Sequence, residues 1–221
     1  MISSASQLRQ KGADDLKGRW GEAALFTFVY IIILVALSSL GSVVPFFGSI
    51  IVGWLLLPMT WGFTMTFLAN HRKEDNDPFN LSHLIEGYRD FSRIFLTLLL
   101  QTIYTYLWSL LLVIPGIIKS YSYAMTPYIL RDHPELQKNA AIEMSMDMMN
   151  GHKVDLFWLH LTFIGWWILC IFTLGIGYFW LAPYMSSANA NFYEEVKAEY
   201  EGRTGEKPVE VFESGYSKSE R

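Results

Sequence analysis

The chain has 221 residues, of which 52% are hydrophobic and 16% aromatic, and its formal net charge is −4. Charged residues make up 17% of the chain, against roughly 25% in an ordinary soluble domain, which argues against a soluble protein. The acidic balance and the lack of a basic stripe exclude nucleic acid as an expected partner, and a single cysteine, Cys170, excludes an internal disulfide.

Long stretches without charged residues divide the chain into apolar blocks. A membrane-spanning helix needs about 20 mostly apolar residues, and in lipid its backbone polar groups must be satisfied within the segment. The blocks therefore predict an all-α, polytopic membrane protein with three helical hairpins. The six predicted spans are about 20–40, 47–69, 93–114, 116–131, 155–173 and 175–193. Residues 1–200 are expected to form the membrane domain, and the charged residues 201–221 are expected to be a disordered cytoplasmic tail.

The first apolar run is interpreted as an uncleaved span. The alternative is a signal peptide cleaved near Ser38, but about twenty residues that include Asp14, Asp15 and Glu22 precede the run. A signal peptide has a short, positively charged segment at this place.

The hairpins are predicted to turn at 44–48, 115–116 and 173–177. Each returning helix contains a proline, which removes a helical hydrogen bond and predicts a kink. The three prolines are Pro58, Pro127 and Pro183. They indicate a three-fold internal repeat, although proline is also frequent in membrane helices for other reasons.

The distribution of Lys and Arg predicts the orientation. With six spans and both termini in the cytoplasm, sixteen of the seventeen basic residues lie inside and only Lys119 lies outside. If residues 115–130 did not cross, nine basic residues would lie outside and eight inside. The positive-inside rule therefore favours six spans with both termini cytoplasmic.

The first cytoplasmic connector, residues 77–95, is expected to form a short helix in the membrane interface. Asn80 is its predicted cap, and apolar residues recur at helical spacing after it. Arg89 and Arg93 flank this apolar stripe, so we expect both arginines to lie near lipid phosphates.

The second connector, residues 131–153, is also expected to be helical. Asp132 is the predicted cap, Pro134 stands in the first turn, and the helix should stop at 150–151, an Asn-Gly pair. An apolar row should rest on the membrane bundle and an acidic row should face water. The apolar row is Leu136, Ala140, Met144 and Met148, and the acidic row is Glu135, Asn139, Glu143 and Asp147.

The motifs of common enzyme classes are missing from the sequence. It contains no HExxH metal motif, no phosphate-binding glycine loop and no GxSxG turn, so neither an enzyme nor a cofactor or metal site is expected. His160 is the one ionisable residue well inside a predicted span and is a functional candidate for that reason. A hydrogen-bonded packing role is the alternative.

Lys119 is the other candidate. The fourteen residues after the second turn, 117–130, give about 21 Å of helix against a hydrocarbon core of about 30 Å. The hairpin should therefore be short, with its turn below the outer surface. Either the amine reaches up to the headgroups, or Lys119, Tyr121 and Tyr123 hold an anionic group such as a lipid phosphate in a wet dent.

Three ordered segments carry a family resemblance: LWSLLLVIPGIIKSYSYAMTPYIL, the connector with MMNGHK, and FIGWWIL followed by TLGIG and LAPY. They resemble the bacterial integral-membrane family catalogued as domain of unknown function nine-seventy-five, from about Asp14 to Tyr200. The resemblance implies a polytopic bacterial membrane protein and no particular reaction. A looser similarity, to the membrane region of some glycerophosphodiester phosphodiesterases, implies a role near lipids, but their catalytic domain has no counterpart here.

These observations favour a non-catalytic scaffold or accessory subunit that acts on membrane lipids or on a membrane protein partner, which includes a second copy of the chain. The alternative is a small-solute or lipid transporter, because internal repeats with broken helices are frequent in transporters.

Overall fold

A computed structural model of the chain describes residues 2–41, 47–136 and 138–204. Throughout these residues the chain forms helices and turns, with no strand, which confirms the all-α prediction. The predicted turn at 44–48 lies outside the described residues except for Phe47 and Gly48. The predicted tail lies outside them beyond Thr204.

The described residues form eleven α-helices and one 3-10 helix. The α-helices are α1 (Ala5–Asp15), α2 (Trp20–Gly41), α3 (Gly48–Leu55), α4 (Leu57–Arg72), α5 (Phe91–Leu111), α6 (Val113–Ser122), α7 (Thr126–Asp132), α8 (Asn139–Met148), α9 (Lys153–Leu161), α10 (Ile164–Phe172) and α11 (Tyr178–Thr204). The 3-10 helix, Leu81–Tyr88, lies between α4 and α5.

Four segments are long and apolar enough to cross a membrane: Trp20–Ser39, Gly48–Arg72, Phe91–Leu111 and Lys153–Phe172. They correspond to four of the six predicted spans. The other two predicted spans are occupied by α6 with α7 and by the first half of α11, so a six-span arrangement stays a prediction.

Two of the predicted kinks are breaks between separate helices. Pro58 and Pro127 stand in the first turn of α4 and α7, where a missing N–H costs no helical hydrogen bond. The breaks lie just before them, at Leu56 and at 123–125. Pro183 alone stands inside a continuous helix.

A third break, at 162–163 between α9 and α10, has no proline and was not predicted. In all three places a side chain from another element donates to a backbone carbonyl beside the break. Tyr88 Oη donates to Leu55 O at 2.9 Å, Gln101 Nε2 to Tyr123 O at 3.2 Å, and Arg9 Nη1 to Thr162 O at 3.1 Å. These contacts satisfy carbonyls that would otherwise be costly to leave in an apolar environment.

The first connector folds onto the bundle. The Asn80 side chain accepts from Ser82 N at 3.0 Å, which confirms the cap, but the helix it starts is a 3-10 helix. Its backbone lies so close to α4 that a Cβ on Gly62 would be 2.3 Å from His83 O. A glycine is therefore required at this crossing.

The cap predicted at Asp132 is wrong. Asp132 is the last residue of α7, because His133 N donates to Ile129 O at 2.8 Å and continues the helix. The connector helix starts instead at Asn139 and ends at Met148, close to the predicted stop.

The two predicted rows of the second connector are confirmed except at Ala140, which is only half-buried. Leu136, Met144 and Met148 are buried, whereas the four residues of the acidic row are exposed. The hydroxyl of Ser145 donates to Ser122 O at 2.9 Å and accepts from Met125 N at 3.2 Å. This pair of bonds fixes α8 against the break between α6 and α7.

Candidate functional site

Lys119 lies on α6 in a tight hairpin with α5. The predicted turn at 115–116 is displaced: the extended residue is Leu112, and Pro115-Gly116 belongs to the first turns of α6, where proline fits. A Cβ on Gly116 would lie 2.7 Å from Ser109 Cα. Glycine therefore permits the close approach of the two helices.

The ammonium of Lys119 contacts three side chains. Its Nζ donates to Met146 Sδ at 3.7 Å and lies 5.1 Å from the ring centroid of Trp108 and 5.9 Å from that of Tyr123. Met146 belongs to α8 in the second connector, so the predictions that Lys119 lies outside and that this connector lies inside cannot both be right. Aromatic faces attract a cation, but a thioether is a weak acceptor. No carboxylate among the described residues pairs with this lysine.

The surroundings of Lys119 are apolar and face outward. Its neighbours Ile117 and Ile118 are each 49% exposed, and Trp108 is also exposed. In a membrane-spanning hairpin such side chains contact lipid. Lys119 is therefore a half-buried cation beside exposed apolar side chains, and its one hydrogen-bond acceptor among the described residues is a weak one.

Tyr121 and His160 form a separate polar contact. His160 Nδ1 lies 3.4 Å from the Tyr121 hydroxyl, and its Nε2 lies 3.1 Å from Asn189 Oδ1. These hydrogen bonds thus join α6, α9 and α11 through the imidazole of His160. The structure groups Tyr123 with Lys119 and Tyr121 with His160, so the predicted candidates divide between two places.

The two arginines of the first connector have different surroundings. Arg93 bonds Asp90, and its Nη1 donates to Leu130 O at 2.9 Å, with only 11% of the side chain exposed. It is therefore a cap for the end of α7, which corrects its predicted position beside lipid phosphates. Arg89 is exposed and stays a candidate lipid contact.

An ionic cluster that joins the ends of α4 and α7 to the interior of α11 was not predicted from the sequence. Asp132 accepts from Arg72 through two bonds, from Lys197 Nζ at 2.6 Å and from Tyr193 Oη at 2.8 Å. Arg72 Nε also donates to Glu194 at 2.6 Å. Each residue stands near the end of an apolar block, which was the only sequence signal.

Burial by itself would raise the pKa of Asp132. The hydrogen bonds from Arg72, Lys197 and Tyr193 outweigh burial and hold the pKa of this carboxyl well below its usual range. Asp132 is therefore a carboxylate that is ionised at neutral pH and has its acceptor sites occupied, which is typical of a structural ion cluster.

A second polar cluster fixes α1 to the bundle. Asp15 Oδ2 lies 2.9 Å from His71 Nδ1 and accepts from Asn191 Nδ2. Lys11 pairs with Glu195 at 2.5 Å. The amphipathic N-terminal helix is thus held against α4 and α11 by charged side chains.

The described residues contain no group of three or more His, Cys, Asp or Glu side chains that could hold a metal ion. The expectation that the protein has no metal or cofactor stays a prediction.

The sequence model of one protein family, described as "Protein of unknown function (DUF975)", matches residues 1–118 and 109–200. The chain belongs to this family. The membership confirms the family resemblance, and the four apolar helices are compatible with a multi-pass membrane protein. No curated protein and no solved structure matches the chain, so the looser likeness to glycerophosphodiester phosphodiesterases has no support from these comparisons.

Proposed function

We propose that the protein is a non-catalytic scaffold or accessory subunit of the bacterial cytoplasmic membrane that binds anionic phospholipids, with its termini in the cytoplasm. The observation that carries the proposal is Lys119. Its ammonium lies beside exposed apolar residues of the α5–α6 hairpin, with a thioether and two aromatic rings as its contacts. An anionic headgroup would supply the missing oxygen acceptors.

The hydrogen bonds of two carboxylates, Asp132 and Glu195, also support a non-catalytic role. A catalytic acid or base needs a free hydrogen-bonding position toward a substrate. Asp132 accepts from three side chains, and Glu195 accepts from Lys11 and from the Ser3 backbone. These carboxylates are thus used to hold helices together.

The first test is substitution of Lys119. Lys119→Met keeps a long unbranched stem against Trp108 and Tyr123 but removes the charge, and Lys119→Arg keeps the charge. The protein is purified in nanodiscs that contain phosphatidylcholine with a minor fraction of phosphatidylglycerol, and bound lipids are counted by native mass spectrometry. We expect Lys119→Met to lose bound phosphatidylglycerol and Lys119→Arg to keep it.

Lys153→Met is the matched control, since it removes a half-buried cation at the start of α9. A further arm adds inorganic phosphate or glycerol phosphate, and competition by either would show that the site recognises a phosphate and not a whole lipid. Unchanged phosphatidylglycerol binding in Lys119→Met, with normal thermal stability, contradicts the proposal.

The alternative function, a small-solute or lipid transporter, has one observation in its favour. A cavity of about 130 Å³ lies between α4, α5 and α7, beside the breaks at Leu56 and 123–125. Gln101 lines it, and Gln101 Oε1 is buried without a hydrogen-bond partner. Polar groups at broken helices are where many transporters bind substrate.

Proteoliposomes distinguish the two functions. Shrinkage and reswelling are followed by light scattering after addition of glycerol or urea. A transporter of small neutral solutes would speed reswelling relative to protein-free liposomes, and Gln101→Leu would slow it again. A scaffold leaves the permeability of the liposomes unchanged.

A further inference from the structure

A second apolar feature, remote in sequence from Lys119, is a pocket of about 500 Å³ where α1, α2, α10 and α11 meet. Its volume lies within the range of about 300–1,000 Å³ that ligand sites have. Aromatic and aliphatic side chains make up most of its lining, with Trp20, Trp166, Cys170, Trp180, Leu181 and Tyr184 among them.

The wall of the pocket is a set of interlocked rings. Tyr184 packs edge-on against Trp20 at 5.8 Å, against Phe163 at 5.0 Å and against Trp166 at 6.1 Å between centroids. Edge-to-face pairs have a defined geometry. The pocket is therefore held open by packing between helices and not by a mobile loop.

The rim of the pocket is exposed and its floor is buried. Trp166 and Trp180 at the rim are 46% and 48% exposed, whereas Cys170 and Leu181 on the floor are 6% and 2% exposed. The walls include two candidate spans, Trp20–Ser39 and Lys153–Phe172. What meets this rim in a membrane is lipid.

We infer that this pocket binds one alkyl chain of a membrane lipid, an inference that rests on the proposed lipid-binding function. The floor and walls are apolar, so burial of methylene groups is the available source of binding energy, about 0.8 kcal/mol for each buried methylene. At the rim, the indole N–H groups of Trp166 and Trp180 make no hydrogen bond to the described residues. They are donors suited to the ester carbonyls at the head of an acyl chain.

A cysteine in the pocket can be used to measure whether the pocket is occupied. Cys170 is the only cysteine of the chain, and it lines the pocket floor. Its rate of alkylation by N-ethylmaleimide therefore measures access to the pocket in the unmodified protein. The experiment uses full-length protein in digitonin, whose hydrophobe is a rigid fused-ring system and not a free alkyl chain, with palmitoyl lysophosphatidylcholine added as the probe.

At a probe concentration about ten times its Kd, only the unliganded fraction reacts, and we expect alkylation to slow about tenfold. Octyl glucoside, which has a straight alkyl chain, should protect in the same way. Glycerophosphocholine, which has the headgroup alone, should not protect. An alkylation rate unaffected by palmitoyl lysophosphatidylcholine contradicts the inference.

The second measurement uses a variant in which a larger side chain fills the pocket. Ala13→Phe places a ring into the pocket from α1, and Ala198→Phe adds the same ring at an exposed position of α11 as the control. We expect Ala13→Phe to slow alkylation without added lipid and to abolish further protection, and Ala198→Phe to behave as wild type. If Ala13→Phe unfolds, the protection measurement on the wild-type protein still tests whether the pocket binds an alkyl chain.

Lys119→Met should leave the protection of Cys170 intact, because Lys119 does not line this pocket. Loss of phosphatidylglycerol binding and loss of alkyl-chain protection are therefore separate results. Failure of one does not imply failure of the other.

Discussion

Arg72 donates both terminal nitrogens to the carboxylate of Asp132, at 2.6 and 2.7 Å, across 60 positions of sequence. Only 7% of the Asp132 side chain is exposed. This bidentate pair joins the end of α4 to the end of α7, and Lys197 and Tyr193 add α11 to the same carboxylate. One acidic side chain thus fixes the relative positions of three helices.

Asp132→Asn should destabilise the protein strongly. The amide has nearly the same shape but leaves two buried or half-buried cations without their counter-ion, and loss of one partner of a buried ion pair costs about 3–5 kcal/mol. The measurement is thermal unfolding in a mild detergent. Asp90→Asn is the control, since Asp90 pairs with Arg93 on the surface, with 52% of its side chain exposed, and exposed pairs contribute about 0–1 kcal/mol.

The contribution of Asp132 should depend on pH in one direction. Its pKa in the folded protein lies well below the ordinary value of 3.8, so the carboxylate stabilises the fold fully above the ordinary pKa and loses that effect as the pH falls toward the folded value. We expect the difference in unfolding temperature between wild type and Asp132→Asn to be constant near neutral pH and to shrink below about pH 4. A difference that stays constant down to about pH 2 would show that the carboxylate is not the source of the stabilisation.

Arg89 and Arg93 should respond differently to the same substitution. Arg93→Gln loses a charged hydrogen bond to Leu130 O, which is worth about 1.5–3 kcal/mol, and we expect a lower unfolding temperature. Arg89→Gln should leave stability unchanged and lower the number of bound anionic lipids, because it removes about 1 kcal/mol of attraction to an anionic surface. Thermal unfolding and lipid counting by native mass spectrometry separate the two effects. Equal loss of stability in both variants would contradict the assignment.

Gly12 should be intolerant of a side chain. A Cβ at this position would lie 2.8 Å from the backbone N of Ala188, so Gly12→Ala must displace α1 from α11. We expect a lower unfolding temperature and faster proteolysis within α1. Gly21→Ala is the matched control, because a Cβ there meets nothing within 4 Å and alanine favours a helix. Similar behaviour of the two variants would show that α1 does not pack as described.

The six-span arrangement can be tested by cysteine labelling in a Cys170→Ser background, which has no other thiol. Cysteine at Ile176, exposed beside the third turn, should react with an impermeant reagent added outside cells. Cysteines at the exposed positions Ser82 and Glu143 should not react. Ser145 is buried and hydrogen-bonded, so a cysteine at this position would not react on either side of the membrane. External labelling at Glu143 would exclude six spans with cytoplasmic termini.

The sequence by itself determined the features that depend on local composition. Uncharged runs of sufficient length predict apolar helices wherever they occur, so the four candidate spans were found close to their observed ends. Local hydrogen bonds and spacing likewise determined the cap at Asn80 and the buried and exposed faces of α8, because each depends on residues only a few positions apart.

Only the tertiary structure decided which polar groups meet. Arg93 was assigned to lipid because its neighbours in sequence are apolar, yet it binds Leu130 O, which comes from a distant helix. The break at 162–163 is stabilised by Arg9 from α1, and the pocket around Tyr184 needs four helices to form its walls. Contacts between distant residues depend on how the helices pack, and the periodicity of a single segment contains no information about its neighbours.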